Sequence, residues 1–115
     1  MRYALLICAD ESARAALSPE EAATARAAWD VFTADLVARG VFQSAERLRP
    51  TTDATTVRVV DGDVVVSDGP FAETKEQMGG FYLIDCKDLD EAIEIASKVP
   101  AAAHGTVEVR PIWDA

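Results

Sequence analysis

The chain has 115 residues, 50% of them apolar and 27% charged, with 11 basic against 20 acidic side chains and a formal charge of −9. This length fits one domain with an ordinary core, and the composition excludes a disordered chain. The acidic balance, in which Arg47 and Arg49 are the only close basic pair, argues against nucleic acid and against an anionic membrane surface as partners.

In chain order, Tyr3 to Ala9 is nearly continuously apolar and predicts a strand buried on both faces. Asp10 to Leu17 reads as a polar, alanine-rich connection. Ser18-Pro19-Glu20-Glu21 is a helix start: Ser18 caps the free amides, Pro19 suits the first turn, and Glu21 completes a capping box. The helix is expected to run to about Arg39, to stop at Gly40, and to bury Ala22, Ala25, Trp29, Phe32 and Leu36. A short strand over 41–45 and a polar connection over 46–53 follow. Asp61-Gly62, set between alternating valines, predicts a hairpin of Thr55 to Val60 with Asp63 to Ser67.

A loop rich in polar and conformationally special residues leads from Asp68 to a strand over 80–86, with Phe81, Leu83 and Asp85 on one face and Tyr82, Ile84 and Cys86 on the other. Asp88 and Glu91 predict a second capped helix, with Leu89, Ala92, Ile93, Ala96 and Val99 as its apolar face and Pro100 as its stop. Thr106 to Ile112 is the last strand. This order predicts a ferredoxin-like two-layer α+β sandwich with an additional hairpin element and both helices on one face of the sheet. The other face would then be an apolar surface in water, which a homodimer through apposed sheet faces would cover.

Cys8 and Cys86 lie far apart in predicted strands and read as buried free thiols of a reducing compartment. No stretch reaches the length of a membrane span, and the apolar run at the N-terminus is too short for a signal peptide. A cytoplasmic location is the expectation.

The DGP turn at Asp68 and the loop behind it form the expected site. Asp68 is the candidate general acid or base, with a turn-capping role as the alternative. Asp10, Arg58, Asp68, Lys75, Tyr82 and Arg110 are the candidate ligand contacts, the cations for an anionic group and the tyrosine for a hydrogen bond. His104, the one histidine, reads as a surface residue. No metal or phosphate-loop motif is present, and no cofactor is implied.

Asp68-Gly69-Pro70-Phe71, Ala72-Glu73-Thr74-Lys75-Glu76 and Gly79-Gly80-Phe81 resemble the DGPF branch of the YCII-related family. The strand ending in Asp10-Glu11, the Ser18-Pro19-Glu20 start and the closing Val107 to Pro111 carry the likeness along the chain. The resemblance implies a ferredoxin-like subunit in a dimeric α+β barrel assembly, and a cleft holding a histidine and an aspartate. Asp68 matches that aspartate; residues 10 to 29 contain no histidine to match its partner. Two functions stay open: binding of a small polar or anionic molecule near a dimer interface, with weak isomerase- or lyase-like activity, or a non-enzymatic accessory or regulatory role. The resemblance links the second to extracytoplasmic-function sigma factor systems.

Overall fold

The computed structural model describes residues 1–114. Strand β1 (Arg2–Ala9) is followed by a five-residue helix α1 (Glu11–Ala15), the long helix α2 (Pro19–Ala38) and strand β2 (Phe42–Arg47). After a 3-10 turn at Thr51–Asp53 come the hairpin strands β3 (Thr55–Val60) and β4 (Asp63–Asp68), then β5 (Gln77–Asp85), helix α3 (Leu89–Ser97), a second 3-10 turn and β6 (Thr106–Pro111). The four strands β2-β5-β1-β6 form one antiparallel sheet in that order, which is ferredoxin-like topology.

Alternation builds the core. On β1 the side chains of Tyr3, Leu5 and Ile7 are buried while their neighbours are half-buried, and on β5 Tyr82 and Ile84 play the same part. These residues pack with Phe32 and Leu36 of α2 and with Ala92, Ile95 and Ala96 of α3. Trp29 stacks on Tyr82 with ring centroids 5.8 Å apart, and the Tyr82 hydroxyl lies 2.6 Å from the Thr33 hydroxyl, so its polar end is satisfied inside the layer. The start of α2 follows the predicted chemistry. Ser18 and Glu21 form the reciprocal capping box, and Gly40 takes the left-handed conformation just beyond α2.

Several expectations need correction. Residues 10 to 17 contain helix α1, capped by Asp10, whose carboxylate accepts from the Ser12 amide at 2.9 Å and hydroxyl at 2.6 Å. Strand β2 extends to Arg47, two residues past the expected end, and β5 begins at Gln77. In α3 the buried face is Ala92, Ile95 and Ala96, while Leu89 and Ile93 face water. Its Asp88 cap accepts from the Glu91 amide at 3.0 Å, but the Glu91 carboxylate reaches the Lys87 amide rather than closing the box.

The barrel is the largest correction. The four-stranded sheet is open: β2 and β6 are its edges and do not pair with each other. Four strands are too few to curl a sheet onto itself, and the hairpin forms a separate two-stranded sheet instead of extending this one. The predicted turn of that hairpin is present, with Asp61 and Gly62 both at positive φ, as a tight hairpin requires. Val57 pairs with Val66 and Val59 with Val64 on one face of this arm, and every residue of the two strands except Thr56 is exposed. The radius of gyration is 16.1 Å, against about 13 Å for a compact chain of this length. The excess is consistent with an arm that projects from the two-layer body.

Candidate functional site

The backbone brings three segments together at one end of the sheet. Cys8 and Ala9, at the end of β1, pair with Met78 and Gln77 at the start of β5, and Arg47, at the end of β2, pairs with Gly80. Helix α1 leaves β1 there, and residues 48–50 leave β2 there. Between them lies a half-open cleft of about 700 Å³, lined by Glu11, Arg14, Ala15, Arg47, Leu48 and Pro50 among others. That volume suits a small ligand.

Glu11 ties the two walls together. Its carboxylate accepts from the Thr51 amide at 2.9 Å and from the Thr51 hydroxyl at 2.7 Å. Its own amide donates to the Gln77 side-chain oxygen at 3.1 Å, and the Gln77 amide group donates to the Thr74 carbonyl at 2.8 Å. One residue thus joins α1, the turn after β2 and the end of the DGPF loop.

The cleft is electropositive in an acidic protein. Arg49, on the rim, is paired with Asp53 at 3.0 Å. Among the described residues no ion pair reaches Arg14 or Arg47. The Arg14 residue is open to water as a whole, but its guanidinium end is partly enclosed. A side chain on Gly79 would begin 3.3 Å from its Nη1, so the glycine keeps room for it. Burial lowers the Arg14 guanidinium from its ordinary value, and the positive charge of Arg47 lowers it further against the opposing pull of Glu11. Arg14 and Arg47 thus line one space in which Glu11 is the carboxylate and forms no ion pair with either.

The sequence-predicted residues do not gather around this cleft. Asp10 caps α1 beside it, and its carboxyl is held below the ordinary range, chiefly by the Ser12 hydroxyl and amide and to a lesser degree by the charge of Lys75. Lys75 is exposed in the DGPF loop. Asp68 is exposed at the base of the arm, where the Gly69 amide donates to the Ala54 carbonyl at 2.8 Å and the Thr56 hydroxyl to the Gly69 carbonyl at 2.7 Å. Arg58 lies on the arm, and Arg110 pairs with Glu108 on the open face of the sheet. Tyr82 is buried on the helix side. His104 is exposed. Arg14 and Arg47 were visible as residues after the first predicted strand and before Pro50, but only the strand register joins them. Among the described residues no cluster of His, Cys, Asp and Glu could hold a metal, and no helix is long and apolar enough to cross a membrane.

The YCII-related domain family matches the chain over residues 1–115. The chain belongs to the YCII-related family. It is also 45% identical, over 114 residues, to an uncharacterised protein of Rhizobium meliloti (strain 1021), a match covering 97% of this chain and 92% of that protein. The YCII-related chain and this relative therefore correspond nearly end to end. The loop 68–76 connects to the cleft of the YCII-related chain through Gln77 and Glu11 rather than lining it.

Proposed function

We propose that this YCII-related chain binds a small anionic molecule in the cleft between α1 and residues 47–50, with Arg14 and Arg47 as its counter-ions. The observation that carries the reading is that two guanidinium groups share one cleft whose lining holds a single carboxylate, and among the described residues no ion pair reaches either. Partly enclosing Arg14 beside the like charge of Arg47 is costly, and an anion between them relieves both the repulsion and the hydration lost at Arg14. The reading is one of binding rather than reaction. Glu11 is the carboxylate in the lining, and both its oxygens are committed to Thr51, so it holds the walls instead of offering a free base. Titration with small anions at constant ionic strength, followed by calorimetry, tests it. Arg14→Ala and Arg47→Ala should each weaken binding at least tenfold while leaving the fold intact. Unchanged affinity in both variants overturns the reading.

A second observation favours a pair of copies. The arm exposes Val57, Val59, Val64 and Val66 on one face, and the open face of the main sheet sets Leu6 opposite Phe81 and Ala4 opposite Leu83. An isolated hairpin is marginal in water, and a two-fold pairing covers such surfaces on both copies at once. Residues 50 to 55 run from the cleft wall directly into the arm, so pairing would set the cleft beside the interface. Light scattering on the purified protein is expected to give twice the chain mass. A strict monomer would favour the accessory role, in which a different protein covers the valines.

A further inference from the structure

We infer that the anion taken by the Arg14–Arg47 cleft is an organic carboxylate carrying a short apolar body, rather than a phosphate. The inference rests on the anion reading above and adds the ligand's class. It follows from what the cleft lacks as much as from what it offers. Phosphate sites commonly surround the ligand with backbone amides, and around this cleft the amides of Glu11, Ser12, Arg14, Leu48 and Thr51 are already engaged. The Glu11 amide donates to Gln77, the Ser12 amide to Asp10 and the Thr51 amide to Glu11. The Leu48 amide donates to the Gly79 carbonyl at 2.9 Å, the Arg14 amide donates to the Asp10 carbonyl at 3.3 Å, and Pro50 has none to give. The Ser12 hydroxyl is also bound to Asp10.

The remaining side-chain donors are guanidinium forks, whose planar N–H pairs match the two oxygens of a carboxylate. The charge balance agrees with a monoanion. Arg49 is offset by Asp53, and Glu11 offsets one of the two remaining positive charges of Arg14 and Arg47, which leaves about one. Beside the forks the wall is apolar: Ala15, Leu48 and Pro50 line the same space, and Leu48 is 41% exposed. A carboxylate with no body would leave that wall wet, whereas an alkyl or aryl body would dry it.

The test is an NMR titration at constant ionic strength that follows the arginine Nε–Hε signals. The probes are acetate, butanoate, hexanoate and inorganic phosphate, and the Arg14→Lys and Arg47→Lys variants assign the resonances. Affinity should rise roughly twofold to fourfold per methylene, the upper figure corresponding to a fully buried CH₂, and phosphate should bind more weakly than hexanoate. Leu48→Ser, which keeps the Leu48 backbone bond to Gly79, should flatten the chain-length dependence. Phosphate binding as tightly as hexanoate would overturn the carboxylate assignment and leave the anion cleft standing. A chain-length dependence that survives Leu48→Ser would overturn the apolar wall. If none of the four anions moves the Arg14 and Arg47 signals, the anion reading itself fails.

Discussion

At the scale of single residues, Glu11 bears most directly on the site. A carboxylate accepting two hydrogen bonds from one residue forms a rigid tie, and a charged acceptor makes such bonds stronger than neutral ones. Glu11→Ala should lower stability by about 1–3 kcal/mol. Hydrogen exchange at the Thr51 amide should accelerate with it, and no other single change in the cleft is expected to do this. Unchanged protection at Thr51 would show that the two walls hold without the tie. Asp10 gives a pH-dependent counterpart. Its folded-state carboxyl is lowered below the ordinary aspartate value of 3.8, chiefly by Ser12, so its contribution is fully present above that value. It is lost as pH falls through the lower folded value. Asp10→Asn retains a capping side chain but has no such titration. The stability difference between wild type and variant, read from urea unfolding at several pH values, should therefore shrink toward zero in strong acid. A difference that stays constant with pH would mean that the cap does not depend on charge. Both residues were in view from the sequence, Asp10 as a ligand contact and Glu11 as its neighbour. Their structural duties were not, because they depend on Thr51 and on a helix too short to leave an apolar period.

Among the elements, β5 carries the site's geometry. Gly80 lies between β1 and β2, and a Cβ there would fall 2.7 Å from the Glu46 carbonyl oxygen and 3.5 Å from the Arg47 Cα. Neither is a flexible side-chain end that could swing away. Gly80→Ala should cost about 1–3 kcal/mol, the usual range for overpacking. Because the displaced strand carries Arg47, it should also weaken anion binding more than the loss of stability alone explains. Calorimetry well below the unfolding temperature separates the two effects. The glycine pair Gly79-Gly80 is plain in the sequence, but what packs against it is not. The partner is β2, which is more than 30 residues away in sequence and is placed by sheet order. The exchange of Leu89 and Ile93 for Ile95 in α3 has a related cause. Apolar residues occur on both sides of that helix, and only contact with β1 and β5 decides which side is inside. The arm was legible strand by strand, turn included, because alternation and Asp-Gly chemistry are local. Its detachment from the main sheet was not, since nothing in a valine strand specifies which neighbour it joins. Replacing Val57, Val59, Val64 and Val66 together by threonine keeps the β-branched shape and removes much of the apolar surface. The circular-dichroism spectrum should survive, and the mass in solution should fall from two chains to one. A mass that does not change would place the contact elsewhere.

For the whole molecule, the formal charge of −9 and the two unpaired arginines of the cleft act against each other. An approaching anion meets a negative field at long range and a positive one only within the cleft. Screening removes the first before the second, because the Debye length is about 8 Å at 0.15 M ionic strength and about 30 Å at 0.01 M. The association rate for hexanoate should therefore rise as salt is added from about 0.01 to 0.15 M. In a protein that steers its ligand by attraction over its whole surface, the rate falls instead. The dissociation rate should rise as well, since the guanidinium contacts are only partly enclosed. Affinity would then change less than either rate. NMR exchange broadening, measured across a salt series, reads the two rates separately. An association rate that falls steadily with salt would mean that the cleft's positive potential extends beyond its mouth, and that Arg14, Arg47 and Arg49 together outweigh the acidic surface around them. Arg49→Ala then discriminates further. Arg49 is already paired with Asp53, so its loss should leave the salt dependence of association unchanged if local pairing has neutralised it, and should steepen the rise with salt if it still contributes to the field at the entrance.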